Sequence, residues 1–373
     1  RRYRLAALHR RGRGPGRALQ VVFSTAHAAV ARSGSRSARQ GGRGSVQSMT
    51  PLEQDAVELM GSRRARIVRT PAPQPEADEV RVRLEGCGVC ASNLPVWEGR
   101  PWFSYPAEPG APGHEGWGVV EALGDNVREY AIGERVAVLS GRAYAQYDVA
   151  PREALVRLPD DLGKAPFPGE PLGCVMNIFE RSDIRAGQSV AIVGAGFLGV
   201  LLAQLANEVG ATVVVVSRRA YGLAQARRMG AQYTIGGERL QEARERALSL
   251  SSGRGYDRVI EAAGLQETLD LASALTTEYG RLVIAGYHQD GLRQVDMQQW
   301  NWRALDVVNA HERTPERYVR GMERAVQAVL DGRLDPFPLL THSEPLAALD
   351  RAFELTRTRP DGFMKAWVRM EAA

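Results

Sequence analysis

Between Val190 and Glu208 the chain reads VAIVGAGFLGVLLAQLANE, and this stretch limits the fold more than any other. Four apolar residues, Val190–Val193, run into Gly194-Ala195-Gly196-Phe197-Leu198-Gly199. Leu198, Leu201, Leu202, Leu205 and Val209 then recur at helical spacing. The pattern is strand, glycine turn, helix. Gly194 permits the tight turn, Gly196 leaves room for a phosphate to approach the backbone, and Gly199 lets helix and strand pack closely. A second strand, Thr212–Val216, follows where a βαβ unit needs it. The expectation is a parallel α/β sheet whose turn, with Phe197 and Leu198, cradles a dinucleotide. A glycine turn joining two packed elements without a ligand is the plainer alternative.

A chain of 373 residues can bury a sizeable core and is expected to form two domains. Its three cysteines, Cys87, Cys90 and Cys174, suit a reducing compartment better than a disulfide framework. No apolar run approaches membrane-spanning length, so a cytoplasmic protein without membrane contact is expected. The formal charge of +5 suggests a nucleic-acid partner only at first sight. Residues 1–48 carry eleven arginines and no acid, which leaves a body of −6, and nucleic acid is not an expected partner. That Arg-, Gly- and Ser-rich tail is expected to be disordered. Upstream sequence translated ahead of a start at Met49 is the favoured reading of it, and a targeting segment is the alternative.

Two strands, Ala65–Arg69 and Glu79–Leu84, precede the segment GCGVCASNLPVWEG. Its Cys87 and Cys90 form a CxxC that would serve either as a redox pair or as half of a zinc knuckle. No second CxxC exists, so a four-cysteine structural site cannot be assembled. Further on, PGAPGHEGWGVVEALG places His114 and Glu115 among glycines, ahead of a strand over Gly118–Ala122. A lone histidine is usually a hydrogen-bonded structural residue. Cys90, His114 and Cys174 taken together, however, supply two thiolates and an imidazole. That donor set favours zinc with a fourth position open, the arrangement of a catalytic site.

From about Met49 onward the chain resembles the medium-chain dehydrogenase/reductase superfamily, in its zinc-dependent alcohol dehydrogenase branch. GVCASNL, GHEGWGVV, EPLGCVMN and VGAGFLG carry the likeness. The resemblance implies a GroES-like, mainly β catalytic domain over residues 49–173 and 311–373, and a doubly wound Rossmann domain over 174–310. It implies one catalytic zinc on Cys90, His114 and Cys174, with Glu170 as a rival or additional ligand. Ser92 would pass the alcohol proton outward and Glu115 would stand close behind the metal. Lys365 would face the cofactor pyrophosphate or be an ordinary surface lysine. A homodimer or homotetramer, paired through the sixth strand, is implied as well.

Three departures stand out. Asn93 replaces the acid that often orients the zinc-bound histidine, which weakens the support behind that ligand. Pro95 stands where some members carry a relay histidine. Ala137–Gln146 has no cysteine, so a structural-zinc lobe is missing and any zinc is catalytic.

Cofactor choice is read at the end of the second Rossmann strand, VVVVSRRAYG. A carboxylate there would bind the ribose of NAD; Ser217, Arg218 and Arg219 instead suit the extra phosphate of NADP. NADP(H) is expected, with NAD(H) as second choice, and an exposed arginine pair is the plainer alternative.

Further strands are expected at Gln232–Ile235, Tyr256–Glu261, Arg281–Ala285, Leu305–Asn309 and Phe363–Val368. Helices are expected at Glu238–Leu248, Glu316–Leu330 and Leu346–Thr356. His288 reads as a turn histidine or a nicotinamide contact. Trp97, Trp102, Phe103, Tyr105, Trp300 and Trp302 line an apolar substrate cleft or are ordinary packing. The function expected is hydride transfer between NADP(H) and an alcohol, ketone or aldehyde, bulkier and more apolar than ethanol if those aromatics line the cleft. A zinc-free NADPH-dependent quinone or enoyl reductase and a non-catalytic NADPH sensor are the alternatives.

Overall fold

The computed structural model describes residues 52–237 and 239–371, so the Arg-rich tail lies outside the described residues. Strands β1 (Glu53–Gly61) and β2 (Arg64–Pro71) form an antiparallel hairpin. A seven-stranded sheet collects β3 (Glu79–Gly88), β4 (Gly116–Leu123), β5 (Arg135–Val138), β6 (Tyr147–Pro151) and β7 (Leu155–Arg157) from the first half of the chain. The six-stranded sheet holds β8 (Ser189–Val193), β9 (Thr212–Val216), β10 (Tyr233–Ile235), β11 (Tyr256–Glu261), β12 (Thr276–Ile284) and β13 (Asp306–Asn309). The chain then returns to the first sheet with β14 (His342–Pro345) and β15 (Ala366–Arg369), and β15 pairs antiparallel with β3.

The six-stranded sheet is parallel throughout, in the order β10-β9-β8-β11-β12-β13. Strands covered on both faces need no alternation, and Val213–Val216 is buried at every position. The strand order reverses between β8 and β11, and such sheets bind ligands in the crevice beyond that point. The helices are α1 (Leu94–Glu98), α2 (Gly169–Ser182), α3 (Phe197–Glu208), α4 (Ala220–Arg228), α5 (Leu240–Leu250), α6 (Gln266–Leu275), α7 (Met297–Trp302), α8 (Pro315–Leu330) and α9 (Leu349–Thr358). Helix α2 packs against α8 through glycines. A Cβ on Gly173 would stand 2.9 Å from Met322 Cγ, and one on Gly321 2.6 Å from the Gly173 carbonyl. Among the described residues no helix is long and apolar enough to cross a membrane.

The strands around the nucleotide turn fall where the apolar runs put them. The hairpin strand β1, the short strands β5 to β7 and helix α2 have no counterpart in the sequence expectations. Strand β12 begins five residues before the expected Arg281, because a positive φ of 57° at Tyr279 lets the chain bulge without leaving the sheet.

Candidate metal and nucleotide site

Cys90 ends the loop after β3, and His114 and Glu115 immediately precede β4, so the antiparallel pairing of β3 with β4 brings them together. One ligand atom from each of Cys90, His114 and Glu115 lies within 4.8 Å of the other two. Gly88 makes room for this arrangement: a Cβ there would stand 1.8 Å from Glu115 Oε2. His114 and Glu115 are buried, at 4% and 1% exposure. The His114 Nδ1 lies 2.9 Å from the Pro112 carbonyl, which can only accept, so Nδ1 carries the proton and Nε2 faces the thiolate side. Burial opposes the imidazolium. The hydrogen bond and charge of Cys90, with the Glu170 and Glu115 carboxylates, override it and hold His114 up at about 10.

Cys174 and Glu170 sit one turn apart on α2, and the Cys174 thiol donates to Glu170 Oε1 at 3.2 Å. They do not belong to the close set of Cys90, His114 and Glu115. Burial, then the Glu170 charge, pushes the Cys174 thiol well up, and burial also raises the Glu170 carboxyl. Ser92 Oγ lies 3.1 Å from Cys90 Sγ, at the mouth of the cluster.

Asn93 corrects an expectation. Its amide does not leave His114 unsupported: Nδ2 donates to the Pro112 carbonyl at 3.1 Å, the same oxygen that orients His114, and to Tyr144 Oη at 2.9 Å. Tyr144 is fully buried in the cysteine-free segment Ala137–Gln146. A tyrosine embedded in AVLSGRAYAQ carries no local sign that it will support a ligand 30 residues away.

Lys365 is no surface lysine. It is 6% exposed and its Nζ lies 2.7 Å from Glu115 Oε2 and 5.3 Å from the centroid of the Phe197 ring. Burial works against its charge, but Glu115 and Cys90 raise it above the ordinary lysine range. A single side chain thus joins the metal-donor cluster to the glycine turn.

In that turn each glycine has its own reason. Gly194 has φ 118° and faces the Ala262 carbonyl group. A Cβ on Gly199 would meet the Gly194 carbonyl oxygen at 1.9 Å, which explains the close approach of α3 to β8. A Cβ on Gly196 would meet nothing within 4 Å, so the open face of the turn and the first amides of α3 are free for a phosphate. At the end of β9, Arg219 N donates to Ser217 Oγ at 3.2 Å, and the Arg219 guanidinium donates to the Phe363 carbonyl. Arg218 turns outward to Glu267, 3.1 Å away.

For the aromatic residues the packing alternative holds at Trp300 and Trp97. Trp300 donates to Ser273 Oγ and packs on the core of the parallel sheet, whereas Trp302 is 83% exposed. Trp97 stacks on Phe353 in the core of the first sheet. His288 is a turn histidine held between Glu261 Oε2 and Arg293 Nε.

Residues 76–160 match the alcohol dehydrogenase GroES-like domain, and residues 198–328 match the zinc-binding dehydrogenase domain. The chain belongs to the zinc-type medium-chain dehydrogenase/reductase superfamily. It is an oxidoreductase of the GroES-like plus Rossmann architecture. A sorbitol dehydrogenase of Halalkalibacterium halodurans is 25% identical over 77% of this chain and 91% of its own. An L-threonine 3-dehydrogenase of Bacillus subtilis is 24% identical over 80% and 93%. A zinc-binding dehydrogenase from Sinorhizobium meliloti, solved with NADP, superposes with a TM-score of 0.72 at 25% identity, covering 85% of this chain and 99% of that one.

Proposed function

We propose that the chain is a zinc-dependent alcohol dehydrogenase or carbonyl reductase that moves hydride between NADP(H) and an alcohol, ketone or aldehyde. The observation carrying this reading is the convergence of Cys90, His114 and Glu115 within 4.8 Å, tied through Lys365 to an open nucleotide turn. Sulfur, imidazole and carboxylate donors set this close together fit a zinc ion. Cys90 and His114 would hold it, with Cys174 or Glu170 of α2 as the third ligand and Glu115 behind them. When bound, zinc supplies Lewis-acid polarisation of the substrate oxygen, and NADP(H) supplies or takes the hydride.

The chain's own residues do the rest. Ser92 Oγ accepts the substrate proton by a hydrogen bond and needs no ionised form to do so. With Pro95 in the place of a relay histidine, the outward path runs to cofactor ribose and water. Lys365 balances the buried Glu115 charge beside the pyrophosphate turn. Ser217 and Arg219 meet the phosphate that distinguishes NADP, with NAD(H) as second choice. The substrate class is a small alcohol or polyol, in line with the sorbitol and threonine dehydrogenases among its relatives. Edge strand β13 is the proposed seam of a homodimer or homotetramer, and a monomeric mass in solution would refute that. The free thiols suit a reducing compartment, and we place the enzyme in the cytoplasm.

Metal analysis of purified protein, coupled to a panel of alcohols and ketones followed by nicotinamide absorbance, tests the proposal. Turnover with stoichiometric zinc is the expected result. Turnover of quinones or enones without zinc would point to the zinc-free reductase, and cofactor binding without turnover to a sensor.

A further inference from the structure

The segment Arg359-Pro360-Asp361-Gly362-Phe363-Met364-Lys365 runs along the whole nucleotide crevice. At one end Lys365 touches Glu115 and the Phe197 ring of the glycine turn. Further along, the Phe363 carbonyl accepts from Arg219 at the end of β9. Six residues reach at most about 20 Å, so Arg359 lies at the far, adenosine end of the same crevice. The seven-stranded sheet therefore lends this strap to a site built on the six-stranded one.

Charge is unevenly spread at that far end. Arg218 pairs with Glu267, whereas among the described residues neither Arg219 nor Arg359 has an ion-pair partner. Asp361 is the one acid acting on Arg219. Partial burial and the Arg359 charge together push the Arg219 guanidinium down. Arg359 sits in the left-handed region, with φ 47° and ψ 60°, which costs a non-glycine residue energy. Its Nε donates to the Thr356 carbonyl at 3.3 Å, and the residue itself is exposed. Ser217 Oγ already accepts from Arg219 N, so its own proton is free to be donated. The first turn of α4 abuts the glycine turn, since a Cβ on Gly222 would meet the Ala195 carbonyl at 2.3 Å. Two like charges facing each other without a counter-ion, beside a free hydroxyl, describe a place for a dianion.

We infer that Arg359, supplied by the C-terminal strap, is a specificity residue that closes on the 2′-phosphate of NADP(H) together with Ser217 and Arg219. This rests on the NADP reading above and adds to it a residue from the opposite sheet. The bound phosphate then joins the two sheets, so that cofactor discrimination and closure of the crevice become one event.

Titration calorimetry with 2′,5′-ADP and with 5′-AMP separates the parts. The wild-type protein is expected to bind 2′,5′-ADP at least about tenfold more tightly than 5′-AMP, one phosphate-arginine contact being worth that much. Arg359→Asn, an exchange that tolerates the left-handed backbone, should erase most of that ratio while leaving 5′-AMP affinity unchanged. Arg359→Lys should keep part of it. A wild-type protein that does not distinguish the two nucleotides overturns the NADP reading and this inference with it. A wild-type preference that survives Arg359→Asn but falls in Arg219→Gln overturns the inference alone. Hydrogen exchange of the wild-type protein gives an answer independent of the folding of any variant. Amides of 359–365 protected by 2′,5′-ADP and not by 5′-AMP support the strap, and equal protection refutes it.

Discussion

The Pro112 carbonyl accepts from both His114 Nδ1 and Asn93 Nδ2, and Tyr144 anchors the same amide from behind. Orientation of His114, the proposed metal ligand, is thus delegated to a backbone oxygen held by a neutral side chain. Asn93→Ala should lower zinc affinity roughly tenfold, the usual cost of losing outer-shell support. Competition with a chromophoric chelator measures it, and an unchanged affinity would remove Asn93 from the support of His114. The proton on His114 makes a second prediction. Its folded value near 10 exceeds an unfolded value of 6.5, so the stabilisation is full below 6.5 and disappears as pH rises towards about 10. The thermal midpoint of chelator-treated protein should therefore fall across that window. Zinc-loaded protein, in which metal would stand in place of the His114 proton, should fall less; parallel curves would contradict a metal-binding role for His114.

Among the elements, the β8–α3 turn separates folding from ligand binding on neighbouring glycines. Gly199→Ala pushes a Cβ to 1.9 Å from the Gly194 carbonyl, where backbone must move. It should cost about 1–3 kcal/mol, the range for overpacking, seen as a lowered denaturation midpoint. Gly196→Ala points into open space and should leave stability within about 0.5 kcal/mol, as harmless surface changes do. The same Gly196 variant should weaken NADPH binding markedly in a fluorescence titration, since its Cβ occupies the phosphate's approach. Equal effects of the two variants on stability would show that the turn is simply a packing device. Helix α2 is the second element that matters. Its glycine-mediated contact with α8 fixes where Glu170 and Cys174 stand relative to the β3–β4 cluster.

Across the molecule, the pair Lys365–Glu115 spans 250 positions of sequence and stitches the returning C-terminal strand to the first sheet. Both partners are almost wholly buried. Removing one leaves an unpaired charge in the interior, so Lys365→Met should destabilise by about 3–5 kcal/mol. The double variant with Glu115→Gln should recover much of that loss, because the stranded charge is gone. A double-mutant cycle by chemical denaturation tests this, and additive losses would mean that the two groups do not act as a pair.

Local pattern was enough for the parallel sheet and the glycine turn after β8. Apolar periodicity and glycine spacing are short-range properties, and a buried strand or a tight turn depends on little else. Asn93 shows the limit. Residue type alone argued that it weakens the support of His114, and only the fold reveals the backbone oxygen and the tyrosine it serves. Lys365 read as a pyrophosphate contact or a surface residue until β15 returned it to Glu115. Each of these roles is a pairing between distant segments, set by the three-dimensional return of the chain. Chain order does not encode it, because burial and charge partnership exist only once β15 has paired with β3 and brought Lys365 against Glu115.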